Sequence, residues 1–125
     1  MDAQTERIAR EVVDASFKVH KALGPGLLES VYELCLTHEL RARGLKVDRQ
    51  LEVPVEYDGL KLDAGFRLDL LVEDRIIVEI KAVRELLPVH QAQLLTYLKL
   101  MRKRLGFLIN FNVPVIKNGI KRRIL

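Results

Sequence analysis

At 125 residues, 49% apolar and 30% charged, the chain has the size and mix of one compact domain, residues 1–125, and leaves little room for a second. Its longest uncharged stretch, Leu86–Leu98, is 13 residues and includes Pro88, His90, Gln91, Gln93 and Thr96, short of the roughly 18 apolar residues of a membrane span. No basic-then-apolar leader opens it, and the single Cys35 forms no internal disulfide, which together point to a cytoplasmic protein.

In chain order, Ile8, Val12, Ala15 and Val19 recur at helical spacing from Thr5 to Leu23, until Gly24-Pro25-Gly26 breaks the helix. A second helix is expected from about Leu27 to Arg43, with Val31, Leu34, Cys35 and His38 on one side and Gly44 as its stop. The period then falls to two: Leu51, Val53, Val55 and Tyr57 alternate up to the turn Asp58-Gly59, and Leu62 through Val72 alternate after it. Glu73-Asp74 makes the next turn. Arg75–Val83 reads as a buried strand because Ile76, Ile77, Val78 and Ile80 are nearly continuous. Pro88 opens a third helix with Val89, Leu94, Leu95, Leu98 and Met101 as its apolar band, Phe107–Phe111 forms a fourth strand, and a short strand closes near Ile120–Leu125. The predicted class is α/β, in the order α-α-β-β-β-α-β, with a mixed sheet flanked by helices.

The chemistry lies in what interrupts the strands. Asp69 breaks the apolar run of the second strand, and Glu79 and Lys81 share a face of the third, roughly 6.6 Å apart. A turn centred between Glu73 and Asp74 puts Asp69 one residue out of step with Glu79, near enough for the two carboxylates to share a ligand. Carboxylates so placed repel unless a proton or cation lies between them, and hard oxygen donors suit Mg²⁺ or Mn²⁺. An ammonium beside a metal-bound phosphate would orient water or stabilise negative charge during phosphodiester hydrolysis. An isolated Glu-x-Lys is most often a surface ion pair on a half-exposed strand, but IIVEIKAV is too apolar for a solvated strand.

Four motifs in order, Gly26-x-x-Glu29-x-x-Tyr32, Gly65-Phe-Arg-Leu-Asp69, Val78-Glu79-Ile-Lys81 and Gln93-x-x-x-Tyr97, resemble the metal-dependent PD-(D/E)xK nuclease superfamily. Within it they resemble the exonuclease-like branch with a QxxxY helix motif and, more narrowly, the GxxExxY protein family. Leu68 stands where the superfamily's name has proline. The resemblance implies a restriction-endonuclease-like core and a nuclease acting on DNA or RNA with Mg²⁺ or Mn²⁺. It implies Asp69, Glu79, Glu29 and the Ile80 carbonyl as metal ligands, Lys81 as the catalytic lysine, and Gln93 and Tyr97 as supporting residues. The alternative is a catalytically inactive nucleic-acid-binding or protein-interaction module on the same fold.

Without the resemblance, Glu29 reads as an exposed acid at a helix start and Gln93 and Tyr97 as a polar helix edge; His90 reads as a surface residue and Cys35 as core. No acid follows Glu85 while eight lysines and arginines do, leaving residues 1–85 at −4 within a whole of +4. Arg102, Lys103, Arg104, Lys121, Arg122 and Arg123 are therefore the candidates for phosphate contacts, with a solvated surface the competing reading. So small a core has little surface to grip a duplex, so a homodimer or a larger protein partner is the natural complement.

Overall fold

The computed structural model describes all 125 residues. Helices α1 (Ala3–Leu23) and α2 (Glu29–Ala42) precede strands β1 (Val47–Tyr57), β2 (Leu60–Val72) and β3 (Ile76–Lys81); helix α3 (Pro88–Met101) leads to β4 (Leu105–Asn110), a 3-10 turn (Ile116–Gly119) and β5 (Ile120–Ile124). The order is the expected one, and the arrangement is that of restriction-endonuclease-like proteins. The five strands lie side by side in chain order. Only β3 and β4 are parallel, because α3 carries the chain back across the sheet between them; the other pairs are antiparallel. No helix is long and apolar enough to cross a membrane.

Two apolar cores sandwich the sheet. On one face Ile8, Val12 and Ala15 of α1 and Tyr32, Leu36 and Leu40 of α2 pack on Leu70, Val72, Val78, Ile80, Phe107 and Ile109. On the other, Leu94 and Leu98 of α3 pack on Leu71, Ile77 and Leu108 with Leu68 and Val53. β3 and β4, apolar on both faces, are covered on both. α1 starts where Asp2 accepts the Thr5 N–H at 2.7 Å. At the end of α2, Arg43 binds Asp14 (2.7 Å), Glu11 (3.0 Å) and Glu39 (3.3 Å) and so pins α2 to α1.

The structure corrects several sequence expectations. On α2 the buried side is Tyr32, Glu33, Leu36, Thr37 and Leu40, whereas Leu34 and His38 are exposed and Val31 and Cys35 only half-buried. The polar members hid this face: Thr37 is satisfied within the helix by donating to Glu33 O at 2.8 Å, and Glu33 by partners described below. Cys35 lies at the margin of the core, and Val89 is exposed. β3 ends at Lys81 rather than Val83, and β4 runs from Leu105 to Asn110. The β2–β3 turn also takes in Arg75, whose N–H donates to Val72 O at 3.0 Å, with Glu73 and Asp74 both at positive φ. That extra residue sets the register Leu70↔Val78, which when continued puts Asp69 opposite Glu79 instead of one residue away.

Candidate active site

The β2–β3 ladder stops at Leu70↔Val78, and carboxylates take over from main-chain pairing at the next step. Asp69 N–H donates to Glu79 Oε2 at 2.8 Å, and Ile80 N–H donates to Asp69 Oδ2 at 2.8 Å. On the other side of β2, the β1–β2 pairing skips Gln50 and Asp69, and Gln50 has a left-handed φ of 53°. β2 changes faces at this point: Leu70 belongs to the α1–α2 core, but Leu68, two residues away, belongs to the α3 core. A strand that twists over at one residue leaves that residue in neither core, and here the residue is Asp69.

Glu79 is 5% exposed and Asp69 half-buried. Burial and the neighbouring Asp69 charge push the Glu79 carboxyl up to about 8, against the Asp69 N–H and the Lys81 charge, which favour ionisation. Asp69 is likewise raised, first by burial and then by the charges of Glu33 and Glu29, with the Ile80 N–H and Lys81 opposing. Neither carboxylate takes part in an ion pair, nor does half-buried Lys81. Glu79 and Lys81 share the α3 face of the sheet, since they pair in register with Leu108 and Asn110.

α2 approaches from the other face. Gly26, at φ 98°, lets the loop before α2 bend as a side-chain-bearing residue rarely can. Tyr32 is fully buried; its hydroxyl donates to Gly24 O (2.6 Å) and accepts from Leu27 N–H (3.0 Å), and its ring stacks on Phe111 at 4.8 Å. Gly26 and Tyr32 thus shape the loop that starts α2, with exposed Glu29 as its first residue. Sequence reasoning missed two residues here. Glu33, one turn after Glu29 and 6% exposed, accepts from Gln50 Nε2 at 2.8 Å and pairs with Arg49 at 3.3 Å; the same Gln50 nitrogen lies 3.5 Å from Asp69 Oδ1. The available signal was Glu33's spacing of four from Glu29 on one helical face; Gln50 gave none.

From α3, Tyr97 faces the fork where β2 and β3 part at Asp69 and Glu79: burial and the Glu79 and Asp69 charges all raise its hydroxyl, and its ring stacks on Phe66 of β2 at 4.5 Å. Gln93, one turn earlier, is exposed. His90 serves the helix start, its Nδ1 accepting the Leu87 N–H at 3.0 Å.

The basic residues divide. Arg102–Arg104 lead into β4 at the end away from Lys81, and Lys103 pairs with Asp74 at 3.1 Å. Arg122 lies on the α1 face, opposite Phe107, and pairs with Glu6. Lys121 and Arg123 occupy the α3 face with Lys81, Arg123 bonded to Gln91 and to the Arg122 carbonyl. Lys121 and Arg84 line a hollow of about 230 Å³ that also contains Gln91 and Asn110. The largest hollow, about 650 Å³ between α1 and β5, contains none of the carboxylates of the fork.

The donor set suits a hard cation, because a buried and a half-buried carboxylate meet with no ion-pair partner to neutralise them. No three His, Cys, Asp or Glu side chains stand close enough to form a cage by themselves; Glu29 is not drawn in beside the pair. No curated protein matches the sequence. Among solved structures, that of SSO0001 is similar in fold, with 22% identity over 93% of this chain, 59% of that one, and a TM-score of 0.53; the chain therefore spans 59% of that protein's length. Residues 6–123 match the family model described as the PD-(D/E)XK nuclease superfamily, and the chain belongs to that superfamily.

Proposed function

We propose that the protein is a nuclease that uses Mg²⁺ or Mn²⁺ to hydrolyse phosphodiester bonds of DNA or RNA, and that its narrower kinship is with the GxxExxY proteins and the QxxxY branch. The observation that carries this reading is the Asp69–Glu79 pair, Glu79 buried and Asp69 half-buried, outside any ion pair and flanked by Lys81 at the fork of the sheet. Nucleases of this superfamily typically use divalent metals. Asp69 and Glu79 would hold the cation, with Glu29 and the Ile80 carbonyl completing the protein's donors. When bound, such a cation polarises the phosphate and lowers the pKa of bound water. Lys81 would donate hydrogen bonds to the attacked phosphate or the attacking water, stabilising charge that grows in the transition state. Tyr97, held by Phe66, and Gln93 would support the lysine or the phosphate. Lys121 and Arg84, both free of ion pairs, offer phosphate contacts on the same face.

The test is incubation with single- and double-stranded DNA and RNA under Mg²⁺ or Mn²⁺, with variants guarding against a contaminating nuclease. Asp69→Asn is expected to abolish both cleavage and the metal-induced rise in melting temperature, and Lys81→Met to keep the rise and lose cleavage. Cleavage that survives in Asp69→Asn would overturn the assignment. Metal binding with no cleavage of any polymer would favour the inactive binding module.

A further inference from the structure

The residues that end β4 tie together the two parts of the site that come from distant places in the sequence. Asn110 is 2% exposed. Its Oδ1 accepts from Val83 N–H (3.1 Å) and Asn112 N–H (3.2 Å), and its Nδ2 donates to Val83 O (2.9 Å). Phe111 N–H donates to Lys81 O at 3.0 Å, and Asn112 Nδ2 lies 3.4 Å from Val83 O. The chain leaving Glu79 and Lys81 is therefore fastened to β4 from Lys81 to Val83.

Two of these residues, Phe111 and Asn112, also fasten the start of α2. Asn112 Oδ1 accepts from Gly26 N–H at 3.1 Å, and Phe111 stacks on Tyr32, whose hydroxyl bonds both Gly24 and Leu27. Gly119 backs this arrangement, since a Cβ there would collide with the Asn110 carbonyl. Asn110 and Asn112 are joined to each other through the Asn112 N–H, so the fastening is one unit.

Resting on the nuclease reading above, we propose that Asn110 and Asn112 are positioning residues that set how far Glu29 reaches toward the cation held by Asp69 and Glu79. The two asparagines touch none of the carboxylates. They act by fixing the loop from Gly24 to Leu28 relative to the end of β3, and that loop sets where α2 starts and so where it presents Glu29, its exposed first residue. Residues that orient metal ligands without touching metal typically govern affinity by ten- to a hundredfold.

The test is Mn²⁺ affinity by titration calorimetry on the full chain, below the melting temperature of each variant. Asn112 is half-buried, so Asn112→Ala is expected to fold and to bind Mn²⁺ about tenfold more weakly than the wild type. Glu29→Gln is expected to weaken binding as well, and adding Asn112→Ala to it to weaken binding no further, because the asparagine acts through that carboxylate. A general loss of stability would not produce this lack of additivity. Asn112→Ser is carried through the same comparison to guard against a folding defect. Full additivity, or wild-type affinity in both Asn112 variants, would overturn the positioning role while leaving the nuclease reading intact. A wild-type protein that binds no Mn²⁺ would overturn that reading and the positioning role with it.

Discussion

At the scale of single residues, the fork opposes ionisation. Glu79 keeps its proton to about pH 8 when folded, against its usual 4.5, so between those values the folded chain binds more protons than the unfolded one, and stability must fall as pH rises. The expected fall is on the order of a few kcal/mol across that window. Glu79→Gln keeps an oxygen to accept the Asp69 N–H and should flatten this part of the stability curve, melting above the wild type at pH 8 without metal. Thermal unfolding from pH 4 to 9 measures both; an unchanged slope in the variant would place the proton elsewhere. Gln50 gives a second expectation. Its amide nitrogen lies between Glu33 and Asp69, so Gln50→Glu sets a third carboxylate there, lowering apo stability and enlarging the increase in melting temperature on adding Mg²⁺.

At the scale of elements, the loop before α2 depends on one hydroxyl. Tyr32→Phe retains the stack on Phe111 but leaves Gly24 O and Leu27 N–H without their partner, a loss expected to cost about 1 to 3 kcal/mol in denaturant unfolding. Elements were also where the sequence was most legible. Period and turn residues are local properties, so the order of helices and strands, the boundary at Pro88 and the charges inside β2 and β3 could be read directly. The buried side of α2 could not, because Glu33 and Thr37 are polar residues whose burial depends on Gln50 and on a bond within the helix. The opposition of Asp69 to Glu79 escaped by one residue, since left-handed Glu73 and Asp74 lengthen a turn in a way that no composition rule announces. The catalytic candidates Asp69, Glu79 and Lys81 were legible because charge in an apolar strand is costly; Asn110 and Asn112 were not, since asparagine near a strand end looks like any turn.

At the scale of the molecule, charge is distributed unevenly. The basic C-terminal part read from the sequence is neutralised at two positions, Arg122 by Glu6 and Lys103 by Asp74. Polynucleotide binding should therefore respond to Lys121 and Arg84 more than to those two. Lys121→Glu is expected to lower the slope of log affinity against log salt by about 0.7 to 0.9 for each phosphate that the side chain neutralised. Arg122→Ala and Lys103→Ala should leave that slope unchanged, their cost appearing as a stability loss of roughly 0 to 1 kcal/mol, in the range of exposed pairs. Binding isotherms at several salt concentrations decide; a slope that moves only in the Arg122 and Lys103 variants would relocate the interface.

The sheet's strands follow one another in chain order, and this has a consequence for how the molecule assembles. No strand has to be inserted between two already in place, so the sheet can grow outward from the β1–β2 hairpin one neighbour at a time. Short loops close at little entropic cost, which favours fast nucleation there. The slow steps are the crossover through α3 and the seating of α1, whose Glu6 meets Arg122 across 116 residues of sequence. During synthesis α1 precedes the strands on which it packs, so its apolar stripe of Ile8, Val12 and Ala15 has only α2 to cover it until β2, β3 and β4 arrive. Time-resolved hydrogen exchange during refolding is expected to protect the hairpin early and α1 last.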